Sequence, residues 1–271
     1  MKVSFLLKNL AFITPNNAVN SFMQAQTIDE VIEYLDQIIV QNTERSSKLA
    51  YFAILYRKVT VAVKEAIEKK EFEDNERMEK LDVIFANRYL AAYTAFEKGE
   101  KPSDCWLVAF EASTWFWPIV LQHLLLGMNA HINLDLGIAA AEVSPGYDII
   151  KLKKDFDQIN VILGSMIEGV QTDINKVSPI IGLLDIAAGK FDERLADFGI
   201  NIARDGAWLF AENYALATED QKEELLKKRD ASIAWLGRDL RKPGFVFGLF
   251  VKFVRLFEWA SVQKVIKVLS T

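Results

Sequence analysis

Apolar residues along this chain recur at three- and four-residue steps, the spacing that lines one face of an α-helix. From Ser46 to Lys70 they include Leu49, Phe52, Leu55, Val59, Val63 and Ile67. From Asp74 to Lys98 they include Leu81, Ile84, Phe85, Tyr89, Ala92 and Phe96. Thr27 is the expected N-cap of a helix over Ile28–Ile39, since its hydroxyl can accept an orphan N–H and Glu30 completes a T-x-x-E capping box. Gly99 and Pro102 stop the third helix, and Ser103 is placed to cap a short one ending at Ala112. Pro118 begins or kinks a helix running to about Val143, where Ser144-Pro145-Gly146 breaks the pattern. The spacing then predicts helices over Asp148–Lys176 and Lys190–Leu216, with a short one after Pro179 between them. Thr218 opens another, which ends before Pro243-Gly244.

No strand-like alternation persists, and no Asn-Gly or Asp-Gly turn divides two β-rich runs. Linkers are short and no Ser/Gly/Pro-rich hinge separates two halves. The expectation is an all-α, single-domain bundle of about eight to ten helices spanning residues 1–271. Residues 1–26 read as a docked N-terminal segment: Lys8 interrupts the apolar run and no small-residue cleavage site follows, unlike a signal peptide. A cytoplasmic location is then the default. Residues 244–271 form an apolar C-terminal helical segment, with Phe247, Phe250, Phe253, Val254 and Phe257 on a broad apolar face. It is expected to pack on the bundle or on a partner chain, which makes a homo-oligomer a candidate. Glu258 and the acidic remainder weigh against a membrane-surface helix.

With 51% hydrophobic and 25% charged residues over 271 positions, the chain can bury a core and is not of the disordered class. Thirty-two Lys and Arg against 37 Asp and Glu leave a net charge of −5, which argues against a nucleic-acid partner. A single cysteine, Cys105, excludes an intrachain disulfide and a zinc site built on several thiolates. Neither a GxxxxGK[ST] phosphate loop nor a GxSxG elbow occurs. The uncharged run from Ala112 to Leu134 is 23 residues, long enough to cross a bilayer. It carries Gln122, His123, Asn129, His131 and Asn133, a polarity that suits a helix buried in protein, so no transmembrane segment is expected.

Both histidines of the chain lie in that run. On a straight helix His131 and Asp135 sit about 40° apart around the axis and about 6 Å apart along it, so they can converge. His123 lies about 12 Å further along the axis, too far to share their ligand, and is expected in the core. His131 and Asp135 are therefore the candidate catalytic residues, as general base and orienter, or the ligands of a divalent metal, or members of a structural network. A metal would need further ligands, for which Asp82, Glu111, Asp155, Asp157 and Asp205 are available. Asn129 and Asn133, about 160° around the helix, are candidate substrate-binding residues. Arg88 is either a clamp for an anionic substrate or the partner of Asp135 or Glu142, which would make the centre structural. Trp106, Trp115, Phe116 and Trp117 are expected in the core, and Arg204 with Asp205 as a buried charge pair.

The word GMNAHINLDL, residues 127–136, resembles the hallmark G-x-N-A-H-I-x-x-D-L of a bacterial domain-of-unknown-function family. Leu81–Leu90 and Arg204–Trp208 resemble it too. The resemblance implies an all-helical protein whose His131 and Asp135 belong to a shared polar centre; it carries no activity. A looser likeness to helical zinc-dependent phosphoesterases fails on the histidine count, since two cannot supply a His-rich site. Two functions stay open: a hydrolase working through His131 and Asp135, or a non-catalytic helical module that binds a small molecule or self-associates.

Overall fold

Thr27 Oγ1 accepts the Glu30 N–H at 3.2 Å and starts α1, Ile28–Glu44. The Glu30 carboxylate reaches back to the Gln26 N–H at 2.6 Å, one residue earlier than a strict capping box requires. The structure, a computed structural model, describes residues 24–181, 199–258 and 261–271. Within these, α1 is followed by α2 (Ala50–Glu68), α3 (Asn75–Glu97) and α4 (Asp104–Ala112). Val120–Val143 is one continuous helix in three parts: α5 (Val120–Ala130), a wide π turn over His131–Leu136, and α6 (Gly137–Val143). Then come α7 (Ile149–Val177), α8 (Ile200–Leu216), α9 (Glu219–Arg241), α10 (Phe245–Phe257) and α11 (Val262–Leu269). No strand occurs among the described residues, and the architecture is the expected all-α multi-helix bundle.

The continuous helix occupies the centre. It alone among the described helices is long and apolar enough to cross a membrane, and most of it is buried inside the fold. A helix that is apolar all round needs neighbours all round. Leu126, Ala130, Leu134 and Ile138 join a cluster with Leu35, Phe52, Tyr89 and Trp106. Leu136, Ala139 and Ala140 join a second with Leu152, Phe156 and Trp208. Close approach is permitted by glycine: a β-carbon at Gly127 would run into the Phe52 ring, and one at Gly137 would lie 2.8 Å from the Ala207 carbonyl of α8.

Three helix N-termini are capped by carboxylates far away in the chain. Asp155 of α7 accepts the Glu73 and Asp74 N–H groups at 2.7 and 3.0 Å, and Arg77 Nη2 at 3.2 Å, at the start of α3. Asp230 of α9 accepts the Asp104 and Cys105 N–H groups at 2.7 and 2.9 Å, at the start of α4. Glu258 accepts the Val120 N–H at 3.2 Å, at the start of α5. Each places negative charge where the helix dipole is positive. Ser103 does not cap α4 as expected; its side chain makes no cap bond, because Asp230 holds those amides.

At the N-terminal side, Asn87 of α3 exchanges two hydrogen bonds with the Ala25 backbone, at 2.8 and 2.9 Å. Residues 1–23, the short helix expected after Pro179 and the first part of the helix expected from Lys190 lie outside the described residues. The C-terminal segment divides in two. Val265, Ile266 and Leu269 of α11 pack among Ala50, Ile54, Ile174 and Val177. From α10, Val251 and Val254 meet Ile119, while Phe245, Leu249, Phe253 and Leu256 are exposed.

The aromatic group before the histidines also splits. Trp106 is core, but Phe116 and Trp117 are 60% and 46% exposed. They stand edge to face with centroids 5.2 Å apart and under cations: Arg255 lies 4.8 Å from the Phe116 ring and Lys252 5.3 Å from the Trp117 ring. The loop between α4 and Pro118 carries them past the edge of the bundle.

Candidate functional site

The π turn sets the geometry of the site. Its i→i+5 hydrogen bonding widens one turn of an otherwise α-helical rod, a distortion that often marks a functional position. Arg229 Nε of α9 donates to the Asn133 carbonyl within it at 2.9 Å. His131 and Asp135 share one side, with Nδ1 of the imidazole 3.4 Å from Asp135 Oδ2, a long contact. Asp135 is held more tightly by others. Trp106 Nε1 donates to Oδ2 at 2.8 Å and Arg88 Nε to Oδ1 at 3.0 Å. Arg88 also stands 4.0 Å from Glu142. Its guanidinium is thus the counter-ion of a buried carboxylate and does not line the cavity described below.

His131 sits among rings: parallel to Phe85 with centroids 3.5 Å apart, and edge-on to Tyr56 at 4.3 Å. Burial lowers its pKa, against the opposing pull of the Asp135 carboxylate, so the imidazole is neutral near pH 7. A proton on Nδ1 facing Asp135 leaves Nε2 as an acceptor. Nε2 has no hydrogen-bond partner and lies out of reach of water.

Beside this group is a cavity of about 810 Å³, within the ~300–1,000 Å³ range of ligand pockets. Its walls are largely apolar, with Leu55, Val59, Met128, Ile159, Leu163 and Val170 among them. His131, Tyr56 and Asp82 lie along the wall, as do Asn160 and Arg204. Among the described residues, five of the eleven buried side-chain polar atoms without a partner belong to these five: His131 Nε2, Tyr56 Oη, Asp82 Oδ2, Asn160 Oδ1 and Arg204 Nε. Burial, with the Glu79 charge adding to it, raises the Asp82 carboxyl to about 7. Tyr56 is driven well above its ordinary value by burial first and then by the charges of Asp82 and Asp135. No serine, threonine or cysteine is among the described residues lining the cavity.

Asn129 and Asn133 are not brought to this cavity. Asn129 Nδ2 donates to the Ile233 carbonyl of α9 at 3.0 Å, and Asn133 Nδ2 to Asn129 Oδ1 at 3.1 Å. They tie the central helix to α9 from its other side. His123 is a core residue, edge-on to Tyr51 with centroids 5.7 Å apart, and burial lowers its pKa to about 3. Its Nε2 finds no partner.

As a metal centre the donor set is thin. Among the described residues no group of three or more His, Cys, Asp and Glu converges. Of the carboxylates considered as further ligands, Asp155 caps α3, Glu111 pairs with Arg241 at 3.1 Å and Asp157 with Lys153. Asp205 is exposed. Only Asp82 lines the cavity with His131. Both oxygens of Asp135 are taken by Arg88 and Trp106.

Tyr56 and Asn160 escaped the sequence reading, and for a physical reason. Each lies on a helix whose neighbouring positions are apolar, Phe52 and Val59 for one and Phe156 and Leu163 for the other, so each reads as part of a core face. An orphaned hydroxyl or amide is visible only once its surroundings are known.

Fold and site together define an all-helical protein with a charge-neutralised polar centre against an apolar cavity. The chain matches the family of unknown function DUF5995 over residues 28–243, and it belongs to that family. No curated protein and no solved structure matches it.

Proposed function

We propose that this protein binds a largely apolar small molecule in the cavity beside His131. One observation carries the reading: among the described residues, five of the eleven unpartnered buried side-chain polar atoms belong to residues that line one largely apolar cavity. Each such atom costs about 1–3 kcal/mol when left without a partner. A ligand with a long apolar body and a few polar groups fills the apolar volume, and it recovers that cost wherever the side chains covering those atoms move aside for it. The Arg88–Asp135–Trp106 network then acts as scaffolding that holds the π turn, and with it His131, against the cavity.

Binding of a neutral fluorescent probe, N-phenyl-1-naphthylamine, tests this. Wild type is expected to bind one probe per chain, and Val59→Trp, which puts an indole into the cavity, to lower affinity tenfold or more. Equal binding by the folded Val59→Trp variant would place the probe elsewhere and defeat the reading.

A second reading, hydrolysis with His131 as general base, draws on Asp135 facing Nδ1 and leaving Nε2 as the acceptor. It requires the Phe85 and Tyr56 rings to part so that Nε2 can reach water. Water would be the nucleophile, in keeping with the absence of serine, threonine and cysteine among the described residues of the lining. Turnover of a chromogenic ester panel by wild type but not by His131→Gln, with probe binding retained by both, would support it. Absence of any turnover by wild type would leave binding alone.

A further inference from the structure

Arg204, on the first turns of α8, is the one buried lysine or arginine among the described residues, at 4% exposure. The sequence suggested a charge pair with Asp205, and the structure contains no such pair. No carboxylate lies within ion-pair distance of Arg204 among the described residues. Asp157 and Asp205 influence it only from farther away, and Asp157 is bonded to Lys153 at 2.6 Å. One amino group donates to the Phe156 carbonyl, and the guanidinium carbon stands 4.3 Å from the centre of the Phe156 ring. Nε has no partner. Four other arginines near the core meet carboxylates, Arg88 with Asp135, Arg77 with Asp155, Arg241 with Glu111 and Arg255 with Glu258, while the half-buried Arg229 bonds the Asn133 carbonyl.

A buried cation without a counter-ion is costly, and the same low dielectric makes an arriving anion bind it strongly. Arg204 lines the cavity, and so do residues of α7 from Phe156 to Asn175. At ~1.5 Å of rise per residue that is about 28 Å of wall. A bilayer core of ~30 Å accommodates two acyl chains end to end, so one extended chain needs about half of that length. Apolar positions Ile159, Leu163, Ile167, Val170 and Ile174 recur along this wall, starting beside the Phe156 ring on which Arg204 rests.

We propose that the cavity takes a long-chain carboxylic acid, its carboxylate on Arg204 and its hydrocarbon chain along α7. A guanidinium presents paired N–H donors that match the two oxygens of a carboxylate, while the wall beyond is mainly apolar, with Asn160, Gln171 and Asn175 as its polar positions along α7. The inference rests on the cavity being the ligand site and adds the class of ligand.

Displacement of N-phenyl-1-naphthylamine by laurate and by 1-dodecanol at pH 8 separates the two ideas. Wild type is expected to bind laurate at least tenfold more tightly than dodecanol. Arg204→Met should lower laurate affinity tenfold or more and dodecanol affinity by much less; Arg204→Lys should keep part of the laurate preference. Equal affinities of wild type for laurate and dodecanol overturn the carboxylate assignment, as does a folded Arg204→Met with unchanged laurate binding. In both cases the cavity reading stands, because the probe still reports on it. If Arg204→Met does not fold, the wild-type ratio of laurate to dodecanol decides alone. Failure of wild type to bind the probe, laurate or dodecanol overturns the cavity reading and this inference with it.

Discussion

Arg88 Nε donates to Asp135 Oδ1 at 3.0 Å, joining α3 to the π turn across 47 positions of chain. The pair is unequal: the Asp135 side chain is 2% exposed and that of Arg88 27%. Removing the arginine strands a carboxylate in the core, whereas removing the acid leaves a guanidinium that can turn to water and Glu142. Arg88→Met is therefore expected to lose about 3 kcal/mol and Asp135→Asn clearly less. Urea unfolding of both variants reads the order, and the reverse order would mean that Arg88 is not the partner on which Asp135 depends.

The carboxylate caps make a second prediction. Asp155 holds two backbone amides and an arginine, so Asp155→Ala should cost about 3 kcal/mol. Ser103→Ala should stay within about 0.5 kcal/mol, because Asp230 already satisfies the first amides of α4. Thermal melts of the two variants side by side would show the contrast.

Two glycines should respond in opposite directions to the same substitution. Gly127→Ala forces a methyl into the Phe52 ring, an overpacking expected to cost about 1–3 kcal/mol. Gly169→Ala, at an exposed position within α7 where a β-carbon meets nothing within 4 Å, should stabilise by about 0.5–1 kcal/mol. Stability measured by denaturant titration gives both signs in one experiment.

Asp82 makes stability fall as pH rises. Its folded-state pKa is raised from an ordinary 3.8 to about 7, so the folded protein holds this proton more tightly than the unfolded chain. The contribution is complete below about pH 4 and lost as pH climbs through about 7, roughly 4 kcal/mol in all. Asp82→Asn should flatten that limb and be more stable than wild type at pH 8. Matching slopes for the two proteins between pH 4 and 8 would show that Asp82 titrates normally.

His123 acts on the other limb. Its pKa is lowered from 6.5 to about 3 by burial first and then by the Lys48 and Arg255 charges, so the folded state resists taking up the proton that the unfolded chain accepts. Stability from this residue is complete above about pH 6.5 and declines as pH falls toward 3. His123→Phe should weaken the decline, and an imidazole NMR titration of wild type should show His123 unprotonated at pH 5.

Much of the fold was legible because helical periodicity, Gly-Pro stops and N-cap residues are local. The helices over 50–68 and 75–97 fall inside the spans their apolar spacing predicts, and Thr27 caps where a capping residue should. The site was legible in part. His131 and Asp135 do meet, because residues four apart share a helix face whether the turn is α or slightly wider. Nothing local, however, announces the π turn, since HINLDL satisfies an α-helical pattern equally well.

By itself, then, the sequence determined an all-helical chain and a long central helix, apolar but for a few side chains that need partners, with His131 and Asp135 on one face. These are matters of spacing along one helix at a time. Tertiary structure alone decided that Arg88 neutralises Asp135, that Asn129 and Asn133 serve α9, and that Asp155 and Asp230 cap distant helices. It also decided that Arg204 stands buried without an acid beside it. Each outcome depends on which side chain from another helix arrives within about 3 Å, because hydrogen bonds and ion pairs decay over that distance while burial multiplies their worth. Periodicity identifies the face that turns inward, and only packing determines what that face meets.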